Sequence, residues 1–199
     1  MASMQERLEE WREYSEISKV GQIARRAFAN NSFDGVLTMI GVVMGSFVVG
    51  VADAKVILVT GLSTALAIGI SGGWGAYLTE SAERRHAVSE LERITLSELH
   101  DTKIGKASRM AVLTVAAVDG LSPFLSAFLV ILPFFFASLL PTINYAYYAS
   151  IGMALVSLFG LGIYLGKISR EKLFLSGVKT TIAGVVCIGL SYFLEQLSR

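Results

Sequence analysis

The residues able to do chemistry in this chain are few, and most sit inside long apolar stretches. Asp119 is the foremost, in the run Val118-Asp119-Gly120-Leu121-Ser122-Pro123. With Met110 taken as the near membrane boundary, nine residues of helix rise put Asp119 about 13 Å into hydrocarbon. A carboxylate at that depth costs at least roughly 2.5–3.5 kcal/mol of insertion free energy unless it is paired or hydrated. Desolvation disfavours the charged form, so such a group is suited to exchanging a proton for a cation. Ser122 and Ser126, at i+3 and i+7, add oxygen atoms on the same helical face. Pro123 has no N–H to offer the Asp119 carbonyl, which makes that oxygen a further ligand or creates a kink. The competing role for Asp119 is a hydrogen bond to a neighbouring helix.

Asp34 opens another apolar stretch as Asp34-Gly35. This is the pattern of a helix start, where a carboxylate accepts from exposed N–H groups. Taken together with Asp119, it is also a candidate first ligand for a cation at the membrane mouth. Met44 follows on the same stretch and could lend a thioether to a borderline metal, although a methionine in a membrane helix more often packs. Farther on, Glu83, His86 and Glu90 stand at i, i+3 and i+7. On a continuous helix they share one face, and Glu-x-x-His on a helix recurs in the divalent-metal sites of carboxylate bundles. Glu98 and Asp101 could join them. The alternative is a solvated face laced by salt bridges from Arg84, Arg85 and Arg93.

These residues need helices to hold them. Of 199 residues, 53% are hydrophobic and 17% charged, and the mean hydropathy is +0.60. A soluble domain of this length would need more charge to cover its surface. Lys and Arg (17) nearly balance Asp and Glu (16), which argues against a nucleic-acid-binding protein and against disorder. The single cysteine, Cys187, lies in an apolar run and excludes a disulfide framework. Five stretches reach the about 20 residues that cross a bilayer: Gly35–Ala52, Val56–Leu78, Met110–Phe136, Tyr145–Gly166 and Phe174–Leu194. Strong polar–apolar alternation, the mark of a membrane β-barrel, is absent.

The expected fold is therefore all-α: a polytopic membrane protein with five transmembrane helices in one domain. An amphipathic cytoplasmic helix occupies 1–33, with apolar positions at Leu8, Trp11, Tyr14, Ile17, Val20, Ala24 and Phe28. Spans one and two fill 34–80, a short cytoplasmic helical region broken at Gly105 fills 81–109, and spans three to five fill 110–199. Arg7, Arg12, Lys19, Arg25 and Arg26 precede span one, six further Lys and Arg lie between Arg84 and Arg109, and Lys167, Arg170 and Lys172 follow span four. Only Lys55 and Arg199 fall on the other side, so the N-terminus is expected in the cytoplasm and the C-terminus outside. No signal peptide is expected, which makes a prokaryotic cell membrane the simplest location. Lys179, inside span five, can snorkel to the cytoplasmic surface.

Small residues suit close helix contact at Gly41-x-x-x-Gly45, Gly69-x-x-x-Gly73 and Gly162-x-x-x-Gly166. A faint repeat pairs Asp34-Gly35 with Asp119-Gly120, and Gly73-Trp74-Gly75-Ala76-Tyr77-Leu78 with Gly160-Leu161-Gly162-Ile163-Tyr164-Leu165, at nearly the same offset. Parallel repeats around a midplane site are found in transporters; chance among glycine-rich helices is the plainer explanation. No nucleophile triad, phosphate loop or His-Glu-x-x-His is present, so no enzyme is expected.

The order of these features resembles the vacuolar iron transporter family. The resemblance rests on the Asp34-Gly35 opening of span one and on span two ending in Ser71-Gly72-Gly73-Trp74-Gly75-Ala76-Tyr77-Leu78. It rests further on the continuation through Glu83, His86 and Glu90, and on Pro133 near the far end of span three. Departures include Phe33 where the family has Asn, Gly72 where it has a Met implicated in metal passage, and Ala76 where it has Glu. Asp119 within span three is unusual for the family. The resemblance implies a homodimer that exports Fe²⁺, or Mn²⁺, from the cytosol in exchange for protons, with the lipid bilayer as its medium and no cofactor beyond the transported metal. Asp34 would then stand at the cytoplasmic mouth, Met44, Asp119 and Ser122 along the path, and Glu83, His86 and Glu90 would capture the ion. The rival classes are a non-transporting membrane scaffold, and an intramembrane aspartyl protease that would need Asp34 and Asp119 to face each other.

Overall fold

The computed structural model describes residues 12–99 and 102–197, and within them the regular elements are all helical. Residues 12–18 belong to a first helix, α1. It is followed by α2 (Val20–Val48), α3 (Ala54–Thr95), α4 (Lys103–Ile131), a 3₁₀ helix (Leu132–Leu139), α5 (Ile143–Ser169) and α6 (Leu173–Leu197). Five of these stretches are long and apolar enough to cross a membrane. The chain is a multi-pass, all-α membrane protein, as its apolar runs indicate. In hydrocarbon no water is available to satisfy backbone groups, so helices that bond internally are the form such runs must take.

Helix limits differ from the expectation in three places. Lys19, with a left-handed φ of 52°, separates α1 from α2, and α2 then runs through Asp34 without a break. Residues 20–33 are thus part of the helix of span one and not of a separate amphipathic helix. Leu8 and Trp11 lie outside the described residues. Second, α3 is 42 residues long, about 63 Å at 1.5 Å per residue, or twice the hydrocarbon thickness. Its charged second half must therefore project beyond the apolar layer. Third, the break between α3 and α4 is not at Gly105, which is buried inside α4. It begins at Leu96, whose φ of 50° ends α3. The Glu92 carboxylate reaches forward to accept the Leu99 N–H at 2.7 Å, which stabilises the turn.

The turn between α2 and α3 follows local chemistry. Gly50 takes φ 76°, its N–H donates to the Phe47 carbonyl at 3.1 Å, and the Val51 N–H donates to the Ser46 carbonyl at 3.0 Å. That pair of bonds is a Schellman end, which favours glycine at its left-handed position. Asp53 then starts α3, its carboxylate accepting the Lys55 N–H at 2.9 Å.

Contacts divide the chain into two compact units. One comprises the described residues up to Phe28 together with Ile70–Leu121. Its small core joins Val20, Ala76, Ala111 and Val115, and the Lys103 ammonium of α4 pairs with the Glu13 carboxylate of α1.

The other unit comprises Ala29–Gly69 and Ser122–Arg199 and carries the larger core. Met39, Ile40 and Met44 of α2 pack there with Ile131, Phe134, Tyr147 and Leu158. The Tyr147 ring meets Phe134 edge-on at 5.0 Å and Phe47 at 5.1 Å. Its hydroxyl donates to the Val51 carbonyl at 2.9 Å, tying α5 to the α2–α3 turn. Helices α5 and α6 cross closely where Gly162 and Gly166 lie against Ser176 and Gly177. Thr180 seals this crossing by donating to the Leu158 carbonyl at 2.8 Å. The Lys179 ammonium reaches Glu171, in the α5–α6 turn, at 3.3 Å, the reach expected of a snorkelling lysine.

Candidate functional site

Asp119 lies in the interior of α4, half-buried, in the most apolar of the five spanning stretches. Its main chain lies against glycines of α3. A Cβ placed on Gly72 of α3 would stand 2.6 Å from the Asp119 carbonyl oxygen, and one on Gly73 would stand 3.2 Å from the Ala116 carbonyl. The two helices thus meet without intervening side chains, and the carbonyl to which Pro123 offers no N–H faces the α-carbon of Gly72. This explains the glycine at position 72: a methionine there has no room at this crossing. It also agrees with close contact at the second end of Gly69-x-x-x-Gly73. By contrast, nothing lies within 4 Å of a Cβ on Gly41 or Gly45, so that pair makes no close helix contact among the described residues.

Ser122 is buried, with 5% of its surface exposed. The Ser126 hydroxyl donates to the Ser122 carbonyl at 2.6 Å, so its proton is used inside its own helix. Pro123 is buried in α4, and its backbone is what a Cβ on Gly35 would strike. Gly35 therefore serves close packing of α2 against α4.

Asp34 is exposed and lies deep in α2, more than three turns past Val20. It is not a helix cap, because the N–H groups following it are already bonded within the helix. An exposed carboxylate in a spanning helix needs water or a partner molecule to remain charged. Two residues earlier, the Ser32 hydroxyl is buried and is the one buried side-chain polar atom without a hydrogen-bond partner among the described residues. Nothing in the sequence distinguishes Ser32 from a packing serine. Met44 is only 4% exposed and belongs to the apolar core. Its place is in the packed core of its unit.

Glu83, His86 and Glu90 do lie on one uninterrupted helix, α3, as their spacing requires. Glu83 and His86 are exposed, and Glu90 accepts from Arg93 at 3.1 Å. Seven residues of rise separate the end members by about 10 Å, too far for all three to close on one ion. Among the described residues, no three His, Cys, Asp or Glu side chains converge as a metal site. Neighbouring pairs remain possible ligands. The salt-bridged face is partly present, with Arg84 bonded to Glu80 at 2.9 Å. Glu98 is exposed beyond the end of α3, and Asp101 lies outside the described residues.

Comparison with known proteins agrees with this layout. The sequence profile of the VIT family, the vacuolar iron transporters, matches residues 26–111 and 95–196. An uncharacterized protein of Methanocaldococcus jannaschii is 32% identical over 179 residues, covering 88% of this chain and 90% of the relative.

Proposed function

The chain belongs to the VIT family, and from that membership we propose that it carries a divalent metal ion, Fe²⁺ or Mn²⁺, out of the cytosol in exchange for protons. The observation that bears most weight is Asp119: a half-buried acid inside an apolar helix, at a position where its main chain lies against Gly72 of α3. A carboxylate within a spanning helix is costly to insert unless it is paired or hydrated, and ion handling gives such an acid a use. A carboxyl in such surroundings holds a proton or a metal ion readily, but not both at once. That competition is sufficient to couple two fluxes. Ser122 would add an oxygen beside it, and Asp34 would supply the cytoplasmic mouth.

Glu83, His86 and Glu90 would collect metal on the projecting half of α3. Because the described residues offer pairs of ligands and no triad, a second copy completing the shell is part of the proposal, as is a homodimer in the cell membrane. The basic residues flanking spans one, two and four support an N-terminus in the cytoplasm and a C-terminus outside.

In proteoliposomes loaded with a pH-sensitive dye, Fe²⁺ or Mn²⁺ should drive proton movement through the wild-type protein. Asp119→Asn, which keeps the shape and removes the charge, should abolish it while leaving the gel-filtration profile and melting temperature intact. Unchanged flux in this variant would remove Asp119 from the mechanism. The lack of a ligand triad among the described residues, together with Gly72 in place of the family methionine, favours one alternative: a membrane scaffold that no longer moves metal. For that protein, neither Fe²⁺ nor Mn²⁺ would shift the melting temperature or produce flux.

A further inference from the structure

The 3₁₀ helix (Leu132–Leu139) turns one row of side chains inward and leaves apolar side chains outside. With three residues per turn, i and i+3 stand in line. Phe134 and Ala137 form the inward row, one buried and the other half-buried against the large core. Phe136 and Leu139 form an outward row, 54% and 80% exposed. The third row, Phe135 and Ser138, is exposed as well, with the Phe135 ring 5.8 Å from that of Phe128.

An exposed apolar surface of this kind is unfavourable in water. The sequence around it is also uncharged: no Asp, Glu, Lys, Arg or His stands between Asp119 and Lys167, whereas the α2–α3 turn carries Asp53 and Lys55. Met110–Ile131 of α4 already supplies about 33 Å of helix, enough to cross the hydrocarbon. The 3₁₀ helix is therefore surplus to the crossing. Its level is set by packing. Phe134 meets Tyr147, whose hydroxyl holds the Val51 carbonyl, and the Ser150 hydroxyl donates to the Val130 carbonyl at 2.7 Å. The segment thus lies beside the first turns of α5 and level with the α2–α3 turn, at an end of the spans.

The main chain sets the opposite limit. The 3₁₀ helix closes with the Leu140 N–H donating to the Ala137 carbonyl at 3.2 Å. Pro141 has no N–H, and Thr142 opens α5 without a side-chain cap. The remaining end carbonyls of one helix and the first N–H groups of the next need water, which hydrocarbon does not offer. Apolar side chains and polar helix ends are satisfied together only where acyl chains meet headgroups.

We propose that Leu132–Leu139 lies along the membrane surface as an interfacial anchor, with Phe136 and Leu139 among the upper carbons of lipid acyl chains and Leu140–Thr142 at the headgroups. Lipid is the occupant because these side chains continue the exposed apolar surface of the spanning helices on either side, at Leu129 of α4 and Tyr148 of α5. Tyr145 and Tyr148, both exposed, stand where an aromatic belt meets the headgroups. The inference rests on the membrane fold and not on metal transport.

Spin labelling of the full-length protein in palmitoyl-oleoyl phosphatidylcholine nanodiscs tests it. In a Cys187→Ser background, nitroxides are attached after Phe136→Cys or Leu139→Cys, and after two reference substitutions. Ser97→Cys, beyond the end of α3, reports water, and Val156→Cys, 71% exposed midway along α5, reports hydrocarbon. Power saturation compares collisions with oxygen and with a water-soluble nickel chelate. At both anchor positions the oxygen-to-nickel ratio should be several-fold above that at Ser97 and below that at Val156, a depth of about 5–10 Å. An unchanged gel-filtration profile shows that each labelled variant is folded, and two positions guard against the loss of one. A ratio equal to that at Ser97 would place the segment in water and overturn the proposal. A ratio equal to that at Val156 would make it part of the span, and an immobilised label reached by neither collider would mean that protein covers it; either result also overturns the proposal.

Discussion

The α3–α4 crossing gives the sharpest test, because two glycines on one helix should respond in opposite ways. An alanine at position 72 would put its methyl 2.6 Å from the Asp119 carbonyl, where ordinary contact begins at 3.4 Å. A carbonyl cannot rotate aside as a side chain can, so the helices must separate by about 0.8 Å or bend, and overpacking of this kind costs about 1–3 kcal/mol. Replacing glycine with alanine inside a helix returns about 1 kcal/mol. Gly72→Ala should therefore lower stability by up to about 2 kcal/mol, and Gly72→Met by more. Gly75, three residues on, has open space around it, with nothing within 4 Å of where a methyl would stand. Gly75→Ala should therefore keep the helical gain and be neutral or more stable by up to about 1 kcal/mol.

The two alanine variants should thus differ by about 1–3 kcal/mol, or roughly 2–12 °C in melting temperature for a chain of this size. Fluorescence-detected gel filtration after heating in detergent reads that difference directly. If Gly72→Ala melts at or above Gly75→Ala, α3 and α4 do not meet backbone to backbone, and the reason why position 72 is not methionine fails with it.

Three further outcomes follow from the packing. Tyr147→Phe keeps both ring contacts but loses the bond to the Val51 carbonyl, and should cost about 0.5–1.5 kcal/mol in thermal unfolding. Met44→Leu conserves volume in the core and should change stability by less than about 1.5 kcal/mol, with metal-driven proton flux unaltered if Met44 only packs; lost flux would place its thioether on the path. A leucine at Gly162 would drive its Cβ toward the Gly177 α-carbon and the Ser176 carbonyl, both 2.6 Å away, so Gly162→Leu should separate α5 from α6 and make the protein aggregate on solubilisation, while Gly160→Ala, with nothing within 4 Å, should not.

Five spans and the projection of α3 were legible in the amino-acid order because both depend on local quantities: the length of an apolar run against a fixed hydrocarbon thickness, and helix-forming residues that continue past its end. Pairs such as Glu80 with Arg84 were equally legible, since i and i+4 meet on any helix. Where helices ended was less so. Asp34-Gly35 has the composition of a helix start, yet α2 passes through it because every N–H there already has its helical partner and nothing compels a break. Leu96, by contrast, takes the left-handed conformation without being glycine, and the bond from Glu92 that holds the turn has no sequence signature.

What the tertiary structure alone decided is the meaning of the small and polar residues. These helices are apolar almost all round, so periodicity cannot say which face meets a neighbour; rotation and crossing of the packed helices do. That is why Gly72 and Gly41 look alike in the sequence yet only Gly72 lies against backbone, why Met44 is core, and why the Ser32 hydroxyl is buried without a partner among the described residues. The sequence determined that an acid lies within an apolar stretch, and the packing of α3 on α4 decided that its main chain meets Gly72.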